Sequence, residues 1–167
     1  MEVGIPTFNA YPPESVNLSA AIACGRGRPA GPTDWRPRPV IPMPTASSGT
    51  LLNVLGEPLT LCSCEPMTGW TRDGSCRTDP ADLGRHTVCC VLNEAFLSYS
   101  KAQGNDLTTP VPAFAFPGLR PGDHWCVCAP RWLEAYDDGM APPVRLDATE
   151  ISTLEVIPLE LLRQHAA

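Results

Sequence analysis

Hydrophobic positions along this chain come in short blocks of different kinds, and the sharpest is His86–Leu92, His-Thr-Val-Cys-Cys-Val-Leu. A continuous apolar run of strand length with β-branched content predicts a strand buried on both faces, at the centre of whatever sheet the chain builds. Asn93 follows at once and can cap a helix over Glu94–Ala102, with Phe96, Leu97 and Ser100 on one side and Gly104 as the stop. His124–Cys128 alternates instead, setting Trp125 and Val127 on one face and Cys126 and Cys128 on the other. A helix over Arg131–Asp138 carries Trp132 and Tyr136 four apart, and Pro158 opens a last helix through His165. Pro58–Ser63 and Pro143–Asp147 read as further short strands. Turn signals fill the gaps, with Thr68-Gly69 and Asp73-Gly74 punctuating 67–78, and Pro110, Pro112 and Pro117 forbidding regular structure after Gly104. These elements predict an α+β domain with a small mixed or antiparallel sheet of about three to five short strands, three helices and many loops.

Composition confines that domain to part of the chain. Of 167 residues, the first 50 hold nine of the twenty prolines, together with Gly25-Arg26-Gly27-Arg28 and the proline run Pro37–Pro44. Proline fixes φ and lacks a donor, so residues 1–50 are expected to form an extended, disordered Pro/Gly/Arg-rich tail. Residues 51–167 are expected to be one cysteine-rich domain. The tail holds four arginines, and the remainder carries a formal charge of −7 out of the chain's −6. An acidic folded part lacks the clustered Lys and Arg that a phosphate backbone requires, so no nucleic-acid partner is expected. No stretch approaches the length needed to span a bilayer, and a cytoplasmic location is expected, with an imported organellar one as the alternative.

Eight cysteines change the picture most, because seven of them fall between Cys62 and Cys128. They are spaced as Cys62-Ser63-Cys64, Cys76, Cys89-Cys90 and Cys126-Val127-Cys128, and no pair has the C-x-x-C spacing of a zinc knuckle or a thioredoxin motif. Four readings remain open. Zinc could be held by ligands drawn from Cys62, Cys76, His86, Cys89, Cys126 and Cys128, although two thiolates at i and i+2 on a strand are set wide for one ion. Buried reduced thiols would pack as small hydrophobes, as Cys89-Cys90 between Val88 and Val91 suggests. A disulfide could close the loop from Cys62 to Cys76. A reactive thiol could be Cys126 or Cys128, with His124 nearby, because Cys128 precedes Pro130-Arg131 at a helix start where a thiolate is favoured. Arg72, Asp73, Asn105, Asp106, Asp123, Trp125 and Arg131 are candidates to face a small ligand. The absence of H-E-x-x-H, G-x-S-x-G and a P-loop removes the readily recognised hydrolase and nucleotide classes.

Several blocks also occur in a telling order: Asn53-Val54-Leu55-Gly56, Gly69-Trp70-Thr71-Arg72-Asp73-Gly74-Ser75-Cys76, His86-Thr87-Val88-Cys89, Gly104-Asn105-Asp106-Leu107-Thr108-Thr109-Pro110, Phe116-Pro117-Gly118-Leu119 and Pro121-Gly122-Asp123-His124-Trp125-Cys126-Val127-Cys128. In these the chain resembles a bacterial family catalogued as domain of unknown function 2237, over about 53–166. The resemblance implies matching cysteines at Cys62, Cys76, Cys89, Cys126 and Cys128, with Cys64 and Cys90 as departures, and it implies no activity. The reading drawn from the residues is a small domain with a thiol-rich pocket, a module that binds metal or a small ligand or serves as an accessory to a protein partner. A thiol-dependent enzyme or redox protein using Cys126 or Cys128 is the first alternative, and a structural subunit of a larger assembly the second.

Overall fold

Val88–Val91 forms β1 and His124–Val127 forms β2, paired antiparallel in the register Val88↔Val127, Cys89↔Cys126, Cys90↔Trp125 and Val91↔His124. A computed structural model describes residues 50–167 of the chain, so the expected tail falls almost wholly outside the described residues. Because side chains alternate along a strand, this ribbon has two unlike faces. Val88, Cys90, Trp125 and Val127 join the main apolar core, while Cys89 and Cys126 enter a small second cluster with Cys62, Cys76 and Ala148. The apolar run of β1 is therefore buried on both faces, as its sequence predicts.

Among the described residues three helices cover the main core. Helix α1, Glu94–Ala102, begins at Asn93, whose side chain accepts the Phe96 amide, and it buries Phe96, Leu97 and Ser100. Helix α2, Ala129–Asp137, starts one residue beyond Cys128 and buries Ala129, Trp132 and Ala135. Trp132 is fully buried, and its indole nitrogen donates to the Pro142 carbonyl at 3.1 Å, so its one polar atom carries no desolvation penalty. Truncating a ring of that size in such a site costs about 3–5 kcal/mol. Helix α3, Leu159–Gln164, follows Pro158 and buries Leu162, and His165 just after it packs edge-on against Trp132 and Tyr136.

The α+β class stands, but the expected width of the sheet does not: among the described residues the sheet has two strands. Pro143–Asp147 does run beside β1, with the Val91 amide bonded to the Pro143 carbonyl and the Arg145 amide to the Cys89 carbonyl. It makes a single bridge, Cys90↔Val144, before Leu146–Ala148 turns as a 3-10 helix. Pro58–Ser63 divides its backbone bonds among Leu51, Asp147 and Gly74 and so pairs with no one strand. Proline at the start of each segment removes donors that a ladder would use.

Candidate functional site

At the end of β2 the chain turns directly into α2, and Cys128 is the residue at the turn. Its carbonyl accepts the Trp132 amide at 2.9 Å, so the thiol stands at the positive end of a nine-residue helix. The next amide, of Ala129, donates to the Arg85 carbonyl at 2.9 Å, which ties the start of α2 to the segment preceding β1. That segment carries the thiol's partner. His86 Nε2 lies 3.0 Å from Cys128 Sγ, and His86 Nδ1 lies 2.6 Å from Asp82 Oδ1.

Asp82 is held as firmly as the histidine. Its second oxygen accepts the His86 amide at 2.7 Å and the Thr78 hydroxyl at 3.1 Å, and its side chain is fully shielded from solvent. With Nδ1 bonded to a carboxylate, Nε2 is the ring nitrogen turned to the sulfur. Trp70 stacks on the imidazole with ring centroids 5.6 Å apart and planes at 18°, and its indole nitrogen donates to Asp79. Gly84 closes the other side: a Cβ there would stand 2.8 Å from His86 Cε1 and 3.1 Å from Cys128 Sγ. No larger residue fits without displacing the ring or the sulfur.

Charge follows this geometry. Burial alone would push the His86 pKa down, but the bonds to Asp82 and Cys128 and the attraction of both groups outweigh it and raise it to about 9. Burial likewise works to raise Asp82, and the bond, charge and amide of His86 with the Thr78 hydroxyl overcome it, leaving the carboxyl below its ordinary value. At neutral pH the centre therefore holds a protonated imidazole between a carboxylate and a half-buried sulfur. That constellation can hold a thiolate, donate a proton from Nε2 and take one back.

The other cysteines of the ribbon have a different fate. Cys62 is disulfide-bonded to Cys89 and Cys76 to Cys126, with Cα separations of 5.7 and 5.3 Å. The expected Cys62–Cys76 bridge is thus replaced. The Cys62 amide bonds to the Gly74 carbonyl, which brings the two ends of the loop together, but each cysteine reaches a different strand of the ribbon. Sγ atoms of Cys62, Cys76 and Cys89 all lie within 4.8 Å of one another. Cys90 is a free thiol inside the main core, where burial pushes its pKa well above the usual range.

Of the candidates drawn from the sequence, the structure brings Cys128 and His86 into contact and separates both from Cys126, whose sulfur is bonded to Cys76. His124 turns away, its Nδ1 lying 3.3 Å from the Cys62 carbonyl. Arg72 lies over the Trp125 ring at 4.9 Å, and Trp125 also meets Phe116 edge-on. Asp73 accepts the Ser75 amide and pairs with Arg77. Asp106 caps the proline-rich loop: the Thr109 and Thr108 hydroxyls and amides, with Lys101, hold its carboxyl well below the carboxylate range. The carbonyl of Asn105 accepts the Ser100 hydroxyl, Asp123 accepts the Arg120 amide, and Arg131 pairs with Glu134. These groups brace turns and helix ends. Sequence reasoning missed Asp82 and Gly84; the signal was a carboxylate four residues before a histidine, inside a turn that Pro80 opens.

Among the described residues no helix is long and apolar enough to cross a membrane. A family model described as an uncharacterized protein conserved in bacteria (DUF2237) matches residues 52–166, and the chain belongs to that family. No curated protein matches it.

Proposed function

We propose that this member of the family is a thiol-dependent enzyme in which Cys128 is the nucleophile, His86 the proton carrier and Asp82 the group that orients His86. One observation carries the reading: a continuous chain from Asp82 Oδ1 to His86 Nδ1 at 2.6 Å and from His86 Nε2 to Cys128 Sγ at 3.0 Å. A nucleophile, a base within hydrogen-bond reach and a carboxylate fixing the base is the arrangement that activates a thiol for covalent catalysis. The sulfur also stands at the start of α2, half-buried beside the protonated imidazole.

The reaction class is acyl transfer. Cys128 Sγ forms a bond to the carbonyl carbon of an ester, thioester or amide, and the leaving group departs with the proton of His86 Nε2. Neutral His86 then takes a proton from an incoming water, whose oxygen attacks the thioester carbon. The S–C bond breaks, the acid is released and the thiolate–imidazolium pair returns.

The test uses an activated aryl ester as probe. A burst of one phenol per chain is expected, with the acyl group located on Cys128 by peptide mass spectrometry. Cys128→Ser abolishes that adduct, and His86→Gln slows its formation by about 10²–10⁴-fold. Acylation at Lys101 or at another cysteine in place of Cys128, or a burst that persists in Cys128→Ser, overturns the proposal.

A further inference from the structure

We propose that Cys62, Cys76, Cys89 and Cys126 form a redox-gated zinc site: two disulfides in the oxidised chain, and one tetrathiolate site in the reduced chain. The inference is independent of Cys128, which lies outside this set and faces His86. Three of the four sulfurs lie within 4.8 Å of one another, and the fourth, of Cys126, is bonded to one of those three. Zinc bound to four thiolates at about 2.3 Å sets its sulfurs about 3.8 Å apart. Opening the two S–S bonds and drawing the pairs around one ion therefore asks chiefly for side-chain adjustments, starting from Cα pairs 5.7 and 5.3 Å apart.

The ligand set also avoids the spacing that argues against zinc in the sequence. It takes one sulfur from each of two strands and from each end of the loop over 62–76, so no pair at i and i+2 is needed. Cys89 and Cys126 are directly opposed on the ribbon, and their amides donate to the Thr149 hydroxyl at 3.1 Å and the Thr68 hydroxyl at 2.8 Å rather than to each other. Such a non-hydrogen-bonded pair brings its side chains closest together on one face. All four cysteines are buried, at 0–3% exposure, with Ala148 as the neighbouring apolar residue. A tetrathiolate zinc carries two negative charges, and cationic or donor groups stand beside it: Arg145 Nη1 is 3.5 Å and His124 Nδ1 is 3.3 Å from the Cys62 carbonyl.

The redox step balances with a dithiol as reductant. For these four cysteines, two dithiols each give two electrons and two protons, become disulfides, and convert the Cys62–Cys89 and Cys76–Cys126 bridges to four thiols. Zinc then binds the four sulfurs and displaces four protons.

The full chain, reduced with excess dithiothreitol under anaerobic conditions and freed of reductant, is titrated with Co²⁺ and with Zn²⁺, beside an unreduced sample. One metal per reduced chain is expected, with thiolate-to-cobalt absorption and tetrahedral ligand-field bands, and none per oxidised chain. Cys128→Ser keeps that stoichiometry and Cys76→Ser loses it. As buried substitutions can unfold the domain, the wild-type chain is also alkylated with and without Zn²⁺. Zinc is expected to protect Cys62, Cys76, Cys89 and Cys126 together. No cobalt spectrum in the reduced chain, unchanged alkylation, or protection centred on Cys128 or other cysteines overturns the proposal.

Discussion

Cys89 and Cys126 face each other across the β1–β2 ribbon, yet neither bonds to the other: each turns its sulfur to a loop cysteine, Cys62 for the first and Cys76 for the second. The loop over 62–76 is thereby fastened to both strands of the ribbon at once. The bridges span 27 and 50 residues of sequence, lengths over which a cross-link removes much of the freedom of the unfolded chain. Replacing Cys76 and Cys126 together by serine is expected to lower the stability of the oxidised protein by about 2–4 kcal/mol. Denaturant unfolding of metal-free samples measures it, and a loss close to zero would mean that the bridge adds nothing to the fold.

Gly84 sits where any side chain meets both His86 and Cys128. Gly84→Ala must move the ring or the sulfur, so the 3.0 Å contact lengthens. Iodoacetamide labelling of Cys128 at neutral pH is expected to slow by about tenfold, since thiolate reactivity depends on its partner charge. Labelling as fast as in the wild type would show that the contact does not set the reactivity.

Asp82→Asn removes the negative charge that holds His86 protonated. Burial, which opposes the charged ring, is then offset by Cys128 alone, and the His86 pKa is expected to fall from about 9 toward its ordinary 6.5. Titration of the imidazole resonances by NMR reads this directly. A value still near 9 in the variant would assign the shift to Cys128 alone.

Stability should carry the same signature. The folded pKa of His86 lies above the unfolded one, so protonation stabilises the fold; that contribution is complete below about pH 6.5 and lost as the pH rises through about 9. His86→Gln is therefore expected to cost more stability at pH 6 than at pH 10. Urea midpoints of both proteins at the two pH values check the sign, and a gap that widens with pH contradicts it.

Cys90 provides the contrast. It is fully buried in the main core and touches no part of the Cys128 centre by hydrogen bond. Cys90→Ala is expected to cost about 1 kcal/mol, the value of one small buried group, and to leave Cys128 labelling unchanged. A fall in labelling would couple the two thiols.

Local signals carried a good part of this fold. Asn93 ahead of Phe96 and Leu97 marks the start of α1 because an N-cap and an apolar face are properties of adjacent residues. The unbroken run in β1 marks a doubly buried strand for the same reason, and Pro158 marks the start of α3. The width of the sheet was not legible, since a strand needs a partner of matching length: Val144 reaches β1 for one bridge before the backbone turns away.

The chemistry divides along the same line. By itself the sequence determined that thiols crowd one stretch, that Cys128 stands at a helix start and that His86 leads into a buried strand. Tertiary structure decided which sulfur meets which partner. Cys128 and His86 are 42 residues apart and touch only because β1 and β2 pair in one register, while Asp82 joins them only through the turn that Gly84 permits. Cys126 and Cys128, two residues apart, end in a disulfide and a free thiol, because the loop carrying Cys76 covers one and the turn carrying His86 reaches the other. Spacing along a chain limits which residues can share a strand or a helix face; contacts between distant segments are set by the packing of the whole domain, which no local pattern encodes.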